Sequence, residues 1–255
     1  MNPGVTPEQY AFFQRNGYLS LGKILSDEEV VRYEGQYDRD KSTFGYLWGP
    51  YNHYQSINCD ALISWPECDA LIRHPAVMTA GEQLMGTPLV FSEICVRHMA
   101  PYQGDLQRSW HRDRPHDPNH PLRMPYFQMM LYLSDVDESS HCFSLSPEAI
   151  DDPVVDTEAQ LHRNGIADLH GPAGTAILFN IAVLHTATVR PTERERKTVQ
   201  VYYGPSEGRY LSNDSLIPPR LWSNSADPST RAFYGKLNPR SKLFAEAFGV
   251  ETPVE

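Results

Sequence analysis

The sequence has few cysteines, little positive charge and no long apolar run. Its 255 residues contain only Cys59, Cys68, Cys95 and Cys142, too far apart for a zinc pattern of CxxC type and too few to staple a chain this long. They are expected to be reduced and packed as small hydrophobes. Lys and Arg number 22 against 32 Asp and Glu, a formal charge of −10. This balance disfavours nucleic acid or an anionic membrane as the main partner, because the electrostatic term that dominates such binding would be repulsive. Nowhere do eighteen apolar residues follow one another, and the start Met1-Asn2-Pro3-Gly4 lacks the basic stretch and apolar run of a signal peptide. A cytoplasmic protein, monomer or homodimer, is expected.

Aromatic residues are abundant instead: 14 Tyr, 10 Phe and 4 Trp. That much apolar area offsets chain entropy only when packed away, which excludes intrinsic disorder. Proline is also frequent at 21 residues, implying many loops on a rigid scaffold.

The first third reads as helical from its caps. Thr6-Pro7-Glu8 opens a helix that Asn16-Gly17 stops, and Ser26-Asp27-Glu28-Glu29 is a capping box that opens a second toward Tyr37. Residues 66–73 and 75–85 read as two more, with Gly86 as the stop. Between them, residues 43–57 carry Phe44, Tyr46, Trp48, Tyr51, His53 and Tyr54 and fit neither a helical nor a strand period. Such a segment is either a loop packed on the core or a lid over a site. From residue 88 the texture changes to short β-type runs, at 89–99, 126–133, 142–145, 175–180, 183–189 and 198–203, bounded by Pro, Gly, Asp or Ser. Without helices of 10–15 residues between them they predict an antiparallel sandwich or barrel. Two helical runs, 228–236 and 241–248, close the chain.

The chemistry is concentrated in three places. His111-Arg112-Asp113 puts an imidazole and a carboxylate two residues apart, so on an extended segment both point the same way. His185 follows the apolar strand Thr175 to Asn180, and Arg196 lies eleven positions further on. Two His and one carboxylate on one face of an Fe(II) octahedron leave three positions open, the facial triad of non-haem iron oxygenases. A 2-oxo acid can fill two of these and O2 the third, and the remote carboxylate of a 2-oxo diacid is met by the planar fork of an arginine.

In these residues, and in the flanks Phe13-to-Leu19, Leu133-Ser134-Asp135 and Gly174-to-His185, the sequence resembles the phytanoyl-CoA dioxygenase family of Fe(II)/2-oxoglutarate oxygenases. The resemblance implies a mainly β, α+β fold, with a double-stranded β-helix (jelly-roll, cupin-like) core and flanking helices. Residues 1–255 would form one domain: a helical N-terminal region over 1–87, a jelly-roll core over 88–205 and a helical and loop region over 206–255. It implies that His111, Asp113 and His185 hold Fe(II). 2-Oxoglutarate would pair with Arg196, assisted by polar groups of the neighbouring strands, for which His98 or Arg97, Gln128, and Thr188, Thr186 or Tyr203 are the candidates. Strand parity leaves open whether the 93/95/97 or the 94/96/98 side of the run 89–99 faces inward. Tyr46, Trp48, Tyr51, Tyr54, Arg114 and Trp222 are expected around the substrate. With Asp113 present, the halogenating variant, in which a small residue vacates the carboxylate position, is disfavoured. The sequence departs from the family at Pro147-Glu148-Ala149-Ile150, in place of a Pro-Gly-Ser-His turn, and at Thr186-Ala187, in place of Gly-Ser.

The implied activity is oxidation, by default hydroxylation, of a C–H bond in a small molecule such as a natural-product scaffold or amino-acid derivative, with 2-oxoglutarate and O2 consumed and succinate and CO2 released. Two rivals stand beside it: a non-catalytic jelly roll that binds metal and a 2-oxo acid without turnover, and a zinc or manganese cupin enzyme that leaves Arg196 without a partner.

Overall fold

The structure, a computed structural model, describes residues 4–52, 54–208 and 210–252. Met1, Asn2, Pro3 and His53 therefore lie outside the described residues. Helix α1 (Pro7–Asn16) starts on a capping box between Thr6 and Gln9, and α2 (Asp27–Thr43) on one between Ser26 and Glu29. Each such cap contributes about 1 kcal/mol. Gly17 ends α1 at φ +73°, and a side chain there would run into Val183, so both conformation and space require glycine. The helix Pro75–Met85 ends on Gly86, whereas the expected helix 66–73 is a 3₁₀ turn, Pro66–Cys68, followed by Asp69–Ile72.

Among the described residues ten strands follow one another: β1 (Tyr18–Lys23), β2 (Gly49–Tyr51), β3 (Gln55–Asn58), β4 (Leu89–Met99), β5 (Phe127–Tyr132), β6 (Cys142–Leu145), β7 (Ala167–Leu169), β8 (Thr175–Asn180), β9 (His185–Thr188) and β10 (Arg196–Pro205). Seven of them form one sheet in the order β1-β8-β5-β10-β4-β3-β2, and three form a second in the order β7-β6-β9, with antiparallel pairing throughout. The aromatic segment is thus neither a plain loop nor a lid: after a 3₁₀ turn it becomes the β2–β3 hairpin at the edge of the large sheet. β1, between two helices, and β7, three residues long, are not anticipated by the sequence pattern.

Alternation along the strands separates two cores. Phe127, Met129 and Leu131 of β5, Leu178 of β8 and Val199, Val201 and Tyr203 of β10 pack against Phe13, Tyr37, Val77, Leu84 and Phe233 from the helices. Met130, Tyr132, Ile177 and Phe179 point the other way and meet Cys142, Phe143 and Leu145 of the small sheet. The same parity turns Ile94 and Val96 of β4 toward the helices, so Glu93, Cys95 and Arg97 face the small sheet. This is the jelly-roll arrangement with flanking helices that the resemblance implies. Among the described residues no helix is long and apolar enough to cross a membrane.

Candidate metal centre

The loop segment before the site is held as an extra strand beside β9. Gln107 pairs with Val189, and His111 exchanges both backbone hydrogen bonds with His185, at 3.0 and 2.9 Å. A doubly bonded antiparallel pair sets its two side chains next to one another on one face. The imidazole centroids of His111 and His185 are 4.4 Å apart. Asp113, two residues on, donates its backbone N–H to Ile181 and turns its carboxylate between the rings: Oδ1 lies 3.4 Å from Nε2 of His111, and Oδ2 3.6 Å from Nε2 of His185. Arg112, between them, points away to Glu148 and the Ala182 carbonyl. Alternation along the strand and this anchor fix which way the H-x-D pair looks.

Nδ1 of His111 meets the Ser109 carbonyl at 3.1 Å, and Nδ1 of His185 the Val183 carbonyl at 2.8 Å. A carbonyl can only accept, so each Nδ1 carries the proton and each Nε2 offers a lone pair toward Asp113. Three donor atoms of these residues lie within 4.8 Å of one another. Burial lowers the His185 pKa to about 4, keeping that imidazole neutral, while the hydrogen bond to Asp113 raises the pKa of His111. Against the opposing effect of burial, the contacts with His111, His185 and Tyr202 hold Asp113 below the usual carboxylate range. The Tyr202 hydroxyl donates to Asp113 Oδ2 at 3.0 Å. Two imidazoles whose Nε2 atoms converge on one oriented carboxylate suit a divalent first-row metal.

These groups line a cavity of about 250 Å³ with Arg196, Arg97, Gln128, Gln55, Tyr51 and Thr186 also in its wall. Arg196 is 1% exposed, and its Nε and Nη1 have no hydrogen-bond partner in the fold. No carboxylate among the described residues pairs with it, and burial lowers its pKa. Leaving a buried charge unpaired costs about 3–5 kcal/mol, which an anion bound at this side chain would relieve. A 2-oxo dicarboxylate fits the donor set: chelating oxygens for the metal and a remote carboxylate for the guanidinium. Gln128, 2% exposed with its amide nitrogen unpartnered, faces the same space.

Other candidates lie elsewhere. His98 is on the outward side of β4 and pairs with Glu195 at 2.7 Å; Arg97 takes the inward place. Thr188 is turned into a polar cluster, accepting from Arg108 Nε at 2.9 Å, while Thr186 borders the cavity. Tyr46 is 81% exposed, and Tyr54 stacks on Tyr102 at the surface. Trp48 is committed to Asp40 through its indole N–H, and Trp222 is buried in the core, bonded to the Ile217 carbonyl. Of the expected substrate contacts only Tyr51 and Arg114 border the site.

Sequence reasoning missed the clamp behind the centre. Asp168 of β7 accepts from Arg108 at 2.9 and 3.0 Å, from Arg190 at 2.9 Å and from Ser144 at 2.5 Å. Arg108 precedes His111 by three residues, so this clamp ties the His111–Asp113 segment to the small sheet. Nothing in the local pattern marks Asp168, which follows a short helix in an unremarkable stretch.

Residues 13–198 match the family model described as phytanoyl-CoA dioxygenase (PhyH). The chain belongs to the phytanoyl-CoA dioxygenase family. It is accordingly an Fe(II)/2-oxoglutarate-dependent oxygenase that uses O2. No curated protein matches it. Among solved structures, the fold is similar to EctD from S. alaskensis with 2-oxoglutarate and 5-hydroxyectoine, at TM-score 0.69 and 18% identity over 99% of this chain and 90% of that one. It is also similar to the carbocyclase SnoK from nogalamycin biosynthesis (TM-score 0.66, 19% identity, 80% of this chain and 86% of that). A third is HygX from Streptomyces hygroscopicus with nickel and 2-oxoglutarate bound (TM-score 0.62, 17% identity, 80% and 89%). At such identities the likeness concerns the fold.

Proposed function

We propose that this member of the phytanoyl-CoA dioxygenase family hydroxylates a C–H bond of a small molecule, holding Fe(II) with His111, Asp113 and His185 and 2-oxoglutarate with Arg196. One observation carries the reading: three metal-type donors within 4.8 Å share a single cavity with a buried arginine that has no counter-ion. Bound Fe(II) and 2-oxoglutarate supply O2 activation, with succinate and CO2 as products. The chain's own contribution is to orient and insulate. The Ser109 and Val183 carbonyls set both imidazole tautomers, Tyr202 fixes one carboxylate oxygen of Asp113, and the Arg108–Asp168 pair holds the segment in register. Phe143 and Phe179, packed on His185 at 5.8 and 5.0 Å, keep water from that ring. Residues 1–255 act as one domain in this reading, in the cytoplasm.

Anaerobic addition of Fe(II) and 2-oxoglutarate tests the site. Bidentate chelation gives a visible charge-transfer band, and admission of air with a substrate then releases succinate. A colourless protein overturns the assignment of the centre. A band without succinate release across a broad panel of small molecules leaves the non-catalytic rival in its place.

A further inference from the structure

A second cavity, of about 470 Å³, adjoins the metal cavity and shares Tyr51, Arg97, Asp113 and Tyr202 with it. Its size is within the ~300–1,000 Å³ of small-molecule sites. Because Asp113 borders both spaces, a molecule in the second cavity lies against the metal centre.

The wall carries charges of both signs, each without a partner of opposite sign. Glu93 is 8% exposed; it accepts hydrogen bonds only from neutral donors, Cys95 Sγ at 3.1 Å and the Ser212 hydroxyl, and no cationic side chain among the described residues pairs with it. Burial accordingly pushes its carboxyl pKa up. Arg97 lies over the Tyr51 ring at 4.8 Å, and its buried Nε has no hydrogen-bond partner. Both residues point inward from β4 four positions apart, which on an extended strand separates their Cα atoms by about 13 Å. Neither meets the other as an ion pair. Arg114 is already engaged with the Leu211 carbonyl at 2.7 Å, while the exposed Asp214 carboxylate and the overall charge of −10 favour entry of a cation.

We infer that the second cavity is the prime-substrate pocket and takes a small zwitterion, with a cationic nitrogen on Glu93 and an anionic group on Arg97. The inference rests on the reading of His111, Asp113 and His185 as the iron ligands. Zwitterions with charges several bonds apart, such as ω-amino acids and the basic amino acids, are the probes chosen for this pair.

The test uses wild-type protein, anaerobic, with Fe(II) and 2-oxoglutarate, titrated with 6-aminohexanoate, L-ornithine and L-lysine. Each is compared with its ω-N-acetyl and carboxamide derivative, and perturbation of the charge-transfer band is followed. The parent zwitterions are expected to perturb it saturably, and removal of the ammonium to weaken binding about tenfold to a hundredfold, the range for a hydrogen bond to a charged group. Glu93→Gln should lose that preference between parent and acetylated ligand, and Glu93→Asp should recover some of it, with thermal melting used to confirm that both variants fold. Equal binding of acetylated and parent compounds, an unchanged preference in Glu93→Gln, or a band that no compound of the panel perturbs would overturn the proposal. Absence of the band itself defeats the iron reading, and the pocket assignment falls with it.

Discussion

On β10 the residues alternate between Val199, Val201 and Tyr203, which face the helices, and Arg196, Gln200 and Tyr202, which face the second sheet. The two faces are built by the same strands under the same backbone hydrogen bonding, yet they serve different ends. On the helix side most strand side chains are apolar and the polar ends on β10 are paired: Tyr203 donates to the Ile72 carbonyl at 2.6 Å, and Lys197 meets Glu34 and Asp38 of α2 at 3.0 and 2.8 Å. On the other side Arg196, Arg97, Gln128 and Gln55 leave buried polar atoms without partners. Native interiors pair almost all such groups, so a cluster of exceptions around one cavity marks where a ligand completes the pairing. On the proposed reading, one face contributes stability and the other gives some up to hold a charged co-substrate.

Substitutions on the two faces should therefore separate stability from function. Asp113→Ala, on the cavity side, has the largest expected effect: iron content and succinate release both fall to background while the melting temperature of the metal-free protein changes little. Loss of folding with loss of iron would show that the two faces are not separable. Leu178→Ala, on the helix side, should do the opposite, costing about 2–5 kcal/mol in denaturant unfolding while the folded protein keeps its affinity for 2-oxoglutarate. Arg196→Met is the sharpest test of the unpaired cation. 2-Oxoglutarate affinity, read from the charge-transfer titration, should drop about tenfold to a hundredfold. Unfolding free energy should stay level or rise by about 1–4 kcal/mol, because a buried charge without a partner has been replaced by an apolar chain. A marked loss of stability would mean that Arg196 is already satisfied in the fold. Tyr46→Ala, remote from both faces and 81% exposed, should shift stability by no more than about 0.5 kcal/mol and leave turnover unaltered. A substantial fall in activity would restore Tyr46 as a substrate contact.

Much of the architecture is readable in local pattern. The N-cap at Thr6 and the capping box at Ser26 appear where the sequence places them, and the runs 89–99, 142–145 and 175–180 coincide with β4, β6 and β8. His111 and Asp113 point the same way because an extended segment repeats every two residues, a property of covalent geometry, whereas His185 joins them only through its backbone pairing with His111. What failed was choice of face. His98 and Arg97 are adjacent, and a strand with both sides buried gives no hydrophobic alternation to say which looks inward. The aromatic segment is equally opaque: Tyr46 and Tyr54 are exposed while Trp48 between them is tied to Asp40, a difference set by tertiary packing and not by local composition.

The sequence by itself determined the donor types, their spacing, the strand-rich core and the arginine that follows the distal histidine. Only the tertiary structure decided that Arg97 faces the cavity, that Thr188 belongs to the Asp168 clamp, and that Glu93 lies on the wall of a second pocket. Each of those outcomes depends on pairing between strands far apart in the chain. Register and parity there are set by how the apolar sides of β4, β5 and β10 meet the helices, and a local stretch of sequence does not contain its partners.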